Sequence, residues 1–280
     1  MESTATSEKG FLNTDQLKYI AAAFMVLDSA WFAIDGLLPT WIHLITRFVS
    51  PLFAFFVVEG FFHTRSRAKY LARLWIAAAL MLCGDFASRL LLGAANQIPD
   101  NIFLTLAIGF SLMYILENAR KSEEAKQKYG LYVLFALSLS AGLIFSVVPI
   151  GTEYFHVVIE GGLVIFPTML IFYLFYGNRS KQVVIFLIWN AAFILLTSGA
   201  AILPSSYPST GDWFESLCFN SDNLTFLFLP FILLYNGKKA ANRHSAGIFS
   251  MYSTRCICGY CTLSPHWHRA FNPRPRPALR

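Results

Sequence analysis

The sequence predicts an all-α integral membrane protein, a polytopic helix bundle, and three observations support this fold class. Of its 280 residues, 56% are hydrophobic and only 14% are charged, whereas soluble domains carry about 25% charged residues. Apolar runs close to the length of a membrane-crossing helix recur along the chain. These runs lack the period-2 alternation and strand-length spacing of a membrane β-barrel. The composition therefore excludes an ordinary soluble enzyme, a fibrous repeat and a disordered chain.

We predict about eight transmembrane helices. Their expected ranges are 16–34, 41–62, 70–92, 102–117, 131–148, 156–176, 183–203 and 223–235. Residues 1–15 are polar and lack the basic, apolar and cleavage regions of a signal peptide. The first apolar run is therefore expected to stay in the protein, so that the chain divides into a short cytoplasmic N-terminus (1–15), a transmembrane helical domain (16–235) and a tail (236–280).

The loops between these helices alternate in charge. Lys and Arg occur in the loops 63–69, 118–130 and 177–182 and after the eighth helix, and they are absent from the loops 35–40, 93–101, 149–155 and 204–222. Basic loops stay on the cytoplasmic side of a membrane. The pattern therefore predicts a cytoplasmic N-terminus and a cytoplasmic tail.

The formal net charge of +6 belongs to the tail. From residue 236 onward there are eight Lys or Arg and no Asp or Glu, whereas the preceding chain has 14 basic and 16 acidic residues. A charge confined to one terminal segment does not indicate that the whole protein binds nucleic acid. The expected partner is the lipid bilayer, with no nucleic acid.

Ionisable side chains form a first polar layer in the outer half of the predicted membrane region. Asp28 and Arg47 each lie six residues from the outer end of their helix, which predicts an ion pair. Asp85 and Arg89 are four residues apart and so share one helix face. Structural ion pairs would account for all four residues, but we favour a polar cavity around Asp28 and Arg47. His43 is expected to be an interfacial residue, and no metal site is predicted.

A second polar layer lies at the cytoplasmic ends of the second and third predicted helices. Its members fall within fifteen residues and are Glu59, His63, Arg65, Arg67, Lys69 and Arg73. Glu59 and His63 are neighbours on one helix, and Arg73 is placed to reach back to Glu59. The forked guanidinium group of Arg matches the geometry of phosphate, so one interpretation is a patch that binds an anionic cytosolic cofactor. The positive-inside signal alone is the other, and it leaves the buried Glu59 unexplained.

Several segments of the chain resemble a known family. They are 17–21 (LKYIA), 25–28 (MVLD), 47–55 (RFVSPLFAF), 58–65 (VEGFFHTR) with Tyr70 and Arg73, and 101–105 (NIFLT). Together they resemble the TraX family of conjugal-transfer membrane proteins. The resemblance is strong over about the first 120 residues and extends by hydropathy to residue 235.

This resemblance implies a membrane acyltransferase in a bacterial cytoplasmic membrane, because the family's namesake is associated with N-terminal acetylation of pilin. Acetyl-CoA or another acyl donor is then expected, with an unknown acceptor such as a protein N-terminus or a glycan. The candidate residues are Asp28, Arg47 and Glu59 for catalysis and His63, Arg65 and Arg73 for binding the donor. The alternatives are a small-molecule transporter, although no repeat relates the two halves, and a non-catalytic scaffold.

Two features depart from the family pattern. The family usually has Asp-His in the first helix, where this chain has Asp28-Ser29, and serine is not a general base near neutral pH. The family also tends to end in a further hydrophobic helix containing Phe-Tyr-Pro-x-His-Leu. If histidine chemistry at these two positions carries the reaction, the present chain is expected to be inactive.

The tail is interpreted as a frameshift product. Shifting the reading frame by one base from residue 251 permits Val-Phe-Tyr-Pro-Leu-His-Leu, which restores the missing ninth helix and places the shift between roughly 240 and 247. The Cys-x-Cys and His-x-His spacings near the end of the chain are not those of structural zinc sites. The tail is therefore expected to be disordered and cytoplasmic.

Overall fold

The computed structural model describes residues 12–33, 39, 41–92, 101–148, 150–151, 156–157, 159, 161–198, 209–219 and 221–235. This part of the chain is helical apart from connecting turns and one pair of two-residue antiparallel strands. In chain order its elements are α1 (Thr14–Ala33), α2 (Trp41–Thr46), α3 (Val49–His63), α4 (Arg67–Leu92), α5 (Ile102–Lys121), α6 (Ala125–Val147), β1 (Ile150–Gly151), β2 (His156–Val157), α7 (Gly162–Leu174), α8 (Arg179–Ser198), α9 (Thr210–Phe219), a 3₁₀ helix (Ser221–Phe228) and α10 (Leu229–Leu234).

Five helices in the described part are long and apolar enough to cross a membrane. They are Trp41–His63 (α2 and α3 taken together across the turn between them), Arg67–Ala87, Ile102–Lys121, Ala125–Val147 and Arg179–Thr197. Two further apolar helices, Gly162–Leu174 and Leu224–Leu234, are shorter. The prediction of an all-α polytopic membrane protein is thus confirmed, and five of the eight expected membrane-crossing helices have a long apolar helix within the described residues.

The predicted helix 41–62 is interrupted, which the sequence prediction missed. A turn at Arg47 and Phe48 separates α2 from α3. Pro51 explains the break, because its ring clashes with the carbonyl group four residues earlier, at Arg47. The interruption places Arg47 in the turn between α2 and α3, and its side chain contacts Asp28 of α1.

The predicted helices 156–176 and 223–235 are also corrected. The first begins only at Gly162, because residues 156–157 pair with residues 150–151 as strands. Gly161, with φ +60°, adopts the left-handed conformation between the strand pair and the helix. The second is mostly a 3₁₀ helix followed by the short α10.

Helix α9 lies in the segment 204–222, which was predicted as a loop. Its start carries a capping pattern, because the Asp212 backbone N–H donates to Ser209 Oγ at 3.1 Å and Ser209 Oγ donates to Asp212 Oδ2 at 2.8 Å. Ser followed three residues later by an acidic side chain is the sequence signal of such a start. The signal was present in the sequence.

The core of the fold is α3. A helix that is apolar on all sides must be covered on all sides, and α3 packs against α1, α5, α7 and the 3₁₀ helix. Its side chains Leu52, Phe55 and Phe61 are almost fully buried. By contrast, α6 exposes many apolar side chains, such as Leu137 and Ile144. Such a surface suits contact with lipid chains.

The helix ends meet on two opposite faces. The Leu12 N–H donates to the Leu234 carbonyl at 3.0 Å, Arg67 contacts Glu117, and Tyr176 contacts Glu59. These contacts bring the start of α1 and α4 together with the ends of α3, α5, α7 and α10. We call this side the basic face, because it gathers the Lys- and Arg-containing loops 63–69, 118–130 and 177–182.

Two glycines of α6 provide a test of how this helix packs. A Cβ at Gly142 would lie 2.8 Å from Cε2 of Phe166, whose rigid side chain is fully buried, whereas a Cβ at Gly130 meets nothing within 4 Å. We expect Gly142→Ala to lower the free energy of unfolding by about 1–3 kcal/mol through overpacking. Gly130→Ala should raise it by up to about 1 kcal/mol through helix propensity. Denaturant unfolding of both variants in the same detergent checks this prediction; equal effects would contradict the packing of α6 on α7.

Candidate functional site

Glu59, His63, Tyr176 and Arg179 come together on the basic face. Nδ1 of His63 lies 2.9 Å from the Glu59 carbonyl oxygen and 3.5 Å from Oε2 of the Glu59 carboxylate. The Tyr176 hydroxyl donates to the same carboxylate oxygen at 3.3 Å and lies 3.4 Å from His63 Nδ1. The Glu59 side chain is 20% exposed and that of His63 is 64% exposed. A largely covered carboxylate therefore supports an imidazole that is open to solvent.

A tight turn between α7 and α8 delivers Tyr176 to this cluster. Gly177 has φ +86°, in the left-handed region that favours glycine. Tyr176 stacks on Phe62 with ring centroids 3.7 Å apart. It lies beyond the C-terminal end of α7, where burial and the nearby Glu59 carboxylate raise the pKa of its hydroxyl. The phenol is therefore protonated at neutral pH and serves as a hydrogen-bond donor.

Arg179 is the cation whose charge acts on Glu59, and sequence reasoning missed it. Its guanidinium lies over the rings of Phe55 and Tyr235, 5.2 Å and 5.4 Å from their centroids. Its Nη1 atom is buried and has no hydrogen-bond partner in the described part of the chain. The predicted neighbour of Glu59 was Arg73, whose charge acts on the Tyr70 hydroxyl; its contact with Glu59 stays a prediction.

The three predicted donor-binding residues occupy different settings. His63 belongs to the cluster just described, Arg65 is exposed in the short loop between α3 and α4, and Arg73 is half-buried on α4. The intervening Arg67 makes a structural ion pair, with its Nη1 3.2 Å from Glu117 Oε1. Arg65 and Arg73 therefore remain candidates for binding an anionic ligand. Arg67 joins α4 to α5 through its ion pair with Glu117.

A second polar cluster lies near the opposite face, and the predicted contact between Asp28 and Arg47 is present in it. Nη2 of Arg47 donates to both Asp28 carboxylate oxygens, at 3.2 Å and 3.3 Å. Thr46 Oγ1 also donates to Asp28 Oδ1. We call these residues, together with His43, the Asp28 cluster. The carboxylate charge is balanced by the guanidinium, so the cluster joins α1 to α2 and to the bend before α3.

His43 was predicted to be interfacial, and the structure buries its side chain within the protein. The residue is only 5% exposed, because α2 folds onto α1 and carries the ring inward. Its Nδ1 lies 2.8 Å from Arg47 Nη2 and 3.2 Å from Asp28 Oδ1. An imidazole thus lies beside Asp28, supplied by α2 and not by residue 29. The spacing of His43 and Arg47, four residues apart, was the signal that the two share one helix face.

The two clusters are separate sites. Arg47 lies in the turn before α3, and Glu59 lies ten residues after the start of α3 at Val49, which corresponds to about 15 Å of helix. The aromatic core of α3 lies between them. A single small substrate group does not reach both clusters at once.

Some predicted features lie outside the described residues. They include the side chains of Ser29 and Arg89, and hence the predicted Asp85–Arg89 pair, as well as residues 1–11 and the tail 236–280. Within the described residues, no group of three or more His, Cys, Asp or Glu side chains is arranged to hold a metal ion.

Comparison with known proteins identifies the family of this chain. Residues 13–253 match the family model described as "TraX protein". The chain belongs to the TraX family. It is also 30% identical, over 210 residues, to a protein of Dichelobacter nodosus named "Probable fimbrial assembly protein FimC, serogroup H1"; the alignment covers 68% of this chain and 74% of that protein. No solved structure matches the chain. The TraX match continues past residue 235, where the sequence predicted the tail to begin.

Proposed function

We propose that this TraX-family protein is a membrane acyltransferase that takes an acyl group from a thioester donor such as acetyl-CoA at its basic face. One observation carries the proposal. Glu59 and His63, which the Tyr176 hydroxyl contacts, lie in the same short stretch of chain as the cationic side chains of Arg65 and Arg73. Acyl transfer needs a group that accepts a proton and cations that hold the phosphates of the donor. The basic face offers both.

The acceptor we propose is a protein amine. The relative from Dichelobacter nodosus is named for fimbrial assembly, and the resemblance to the TraX family implies pilin acetylation. Both favour the N-terminus of a pilin-like subunit over a glycan. The acyl step replaces a thioester by an amide and releases the thiol, so no metal or redox partner is required.

The orientation we propose places the basic face in the cytoplasm, with the protein in a bacterial cytoplasmic membrane. The loops on this face carry Lys and Arg, and the opposite predicted loops carry none. A cytoplasmic basic face also meets acyl-CoA, which is a cytosolic compound. Donor and protein then share one compartment.

The proposal predicts how charge on the basic face affects KM for the acyl donor. Arg65→Gln combined with Arg73→Gln should raise KM for acetyl-CoA by about tenfold or more, because each charge-assisted hydrogen bond to phosphate contributes about 1.5–3 kcal/mol. The measurement is acyl transfer by the purified full chain in lipid vesicles, with radiolabelled acetyl-CoA as donor. Lys128→Gln, an exposed cation of α6, is the matched control. An unchanged KM in the double variant would show that Arg65 and Arg73 do not bind the donor.

A further inference from the structure

The two ring nitrogens of His63 have different roles, and the structure defines them. Nδ1 faces the Glu59 carbonyl oxygen at 2.9 Å and the Glu59 carboxylate at 3.5 Å. A backbone carbonyl oxygen can only accept a hydrogen bond. Nδ1 must therefore carry the proton in the neutral ring, which leaves the lone pair on Nε2. Because the side chain is 64% exposed, that lone pair is accessible to a substrate.

His43 has a different setting. Its Nδ1 lies between Arg47 Nη2, which can only donate, at 2.8 Å and the carboxylate oxygen Asp28 Oδ1 at 3.2 Å. The ring is buried within the Asp28 cluster. Of the two histidine side chains that the structure describes, His63 is the exposed one.

The orientation of His63 depends on more than its own helix. The carboxylate of Glu59 is held by the Tyr176 hydroxyl at 3.3 Å, and the charge of Arg179 acts on it from the start of α8. Tyr176 comes from the turn between α7 and α8 and Arg179 from the start of α8, both more than 110 residues from Glu59. A solvated surface histidine does not need such support, whereas a histidine that takes a proton along one direction does.

From this geometry we infer that His63 is the general base of the reaction and that Glu59 and Tyr176 are positioning residues. The inference rests on the proposed acyltransferase function and adds where the chemistry occurs. The nitrogen of the acceptor amine bonds to the thioester carbonyl carbon, and the carbon–sulfur bond breaks. His63 Nε2 takes the proton from the amine and returns it to the departing thiolate. The acceptor amine therefore meets the donor at the basic face, and the Asp28 cluster takes no part in the transfer.

The test uses the full chain in lipid vesicles, with radiolabelled acetyl-CoA and a peptide that has a free N-terminal amine. His63→Asn keeps a side-chain N–H for the Glu59 carbonyl but removes the base, so it should fold as the parent protein does. We expect kcat to fall by about 10²- to 10⁴-fold, with little change in KM for acetyl-CoA. Glu59→Gln and Tyr176→Phe should lower kcat by smaller factors. Lys128→Ala, on the same face, should leave kcat unchanged.

Chemical rescue separates a base from a structural side chain. Free imidazole should restore part of the activity of His63→Ala, because the site is open to solvent, and it should restore none to Glu59→Gln. If the parent chain transfers label while His63→Asn retains its kcat, the assignment of the base is overturned and the acyltransferase proposal stands. If the parent chain transfers no label to the peptide, the acyltransferase proposal fails, and this inference fails with it.

Discussion

Replacing Arg47 with leucine is expected to lower the free energy of unfolding by about 3–5 kcal/mol, because it leaves the Asp28 carboxylate without its cation. The Asp28 side chain is 21% exposed and that of Arg47 is 12% exposed, so solvent replaces the lost partner poorly. The measurement is denaturant unfolding of the purified chain in detergent. Lys128→Leu, which removes an exposed cation on the opposite face, should change the free energy of unfolding by less than about 0.5 kcal/mol.

The double variant Asp28→Asn with Arg47→Leu shows whether the loss of stability comes from the unpaired charge of the Asp28 carboxylate. Removing both charges of a buried pair is often nearly neutral, whereas removing one is not. We therefore expect the double variant to recover most of the lost stability, with a coupling energy within the range of about 0.5–3 kcal/mol found for contacting residues. A double variant no more stable than Arg47→Leu would contradict the role of the pair in joining α1 to α2.

The same double variant bears on the predicted catalytic role of Asp28 and Arg47. If the pair is structural, a folded double variant should transfer acetyl groups at close to the parent rate. If the pair is catalytic, that variant should be folded and inactive. The acyl-transfer assay in vesicles distinguishes these two results.

Phe110→Ala is the second change with a large expected effect. Phe110 is fully buried on α5 and contacts the rings of Phe61 and Tyr70, at centroid distances of 5.0 Å and 5.1 Å. Truncation should cost about 3–5 kcal/mol, through lost burial and the cavity left behind. The measurement is again denaturant unfolding in detergent.

Leu137→Ala on α6 provides the control for Phe110→Ala. Leu137 is 65% exposed in the structure, and lipid or detergent chains are as apolar as leucine. Its truncation should therefore have little effect on the free energy of unfolding. A loss as large as that of Phe110→Ala would show that α6 is covered by protein, which contradicts its lipid-facing position.

Hydropathy and loop charge predicted the helices of this fold well where the helices are long. The predicted ranges 102–117 and 131–148 lie almost wholly within α5 and α6. The errors lie where local backbone chemistry overrides hydropathy. Pro51 breaks the second predicted helix, and a strand pair replaces the start of the sixth. A window average over apolar residues does not register either feature.

The candidate site was predictable only in part. Glu59 and His63 are four residues apart on one helix, so their contact follows from helix geometry. Tyr176 and Arg179 join them through the tertiary packing of α7 and α8 on α3, which no local pattern reveals. His43 was assigned to the interface because its burial depends on α2 folding against α1. The exposure of the His63 side chain likewise depends on the packing of neighbouring elements, which the sequence does not specify.

The most direct test of the proposed acyltransferase function is whether this TraX-family protein transfers an acyl group. Vesicles containing the purified full chain are mixed with radiolabelled acetyl-CoA and a peptide with a free N-terminal amine, beside empty vesicles and vesicles containing His63→Asn. We expect labelled peptide with the parent chain and almost none with the empty vesicles or with His63→Asn. Unlabelled peptide with the parent chain would contradict the proposed function, and equal labelling with His63→Asn would contradict the role of His63 as the base.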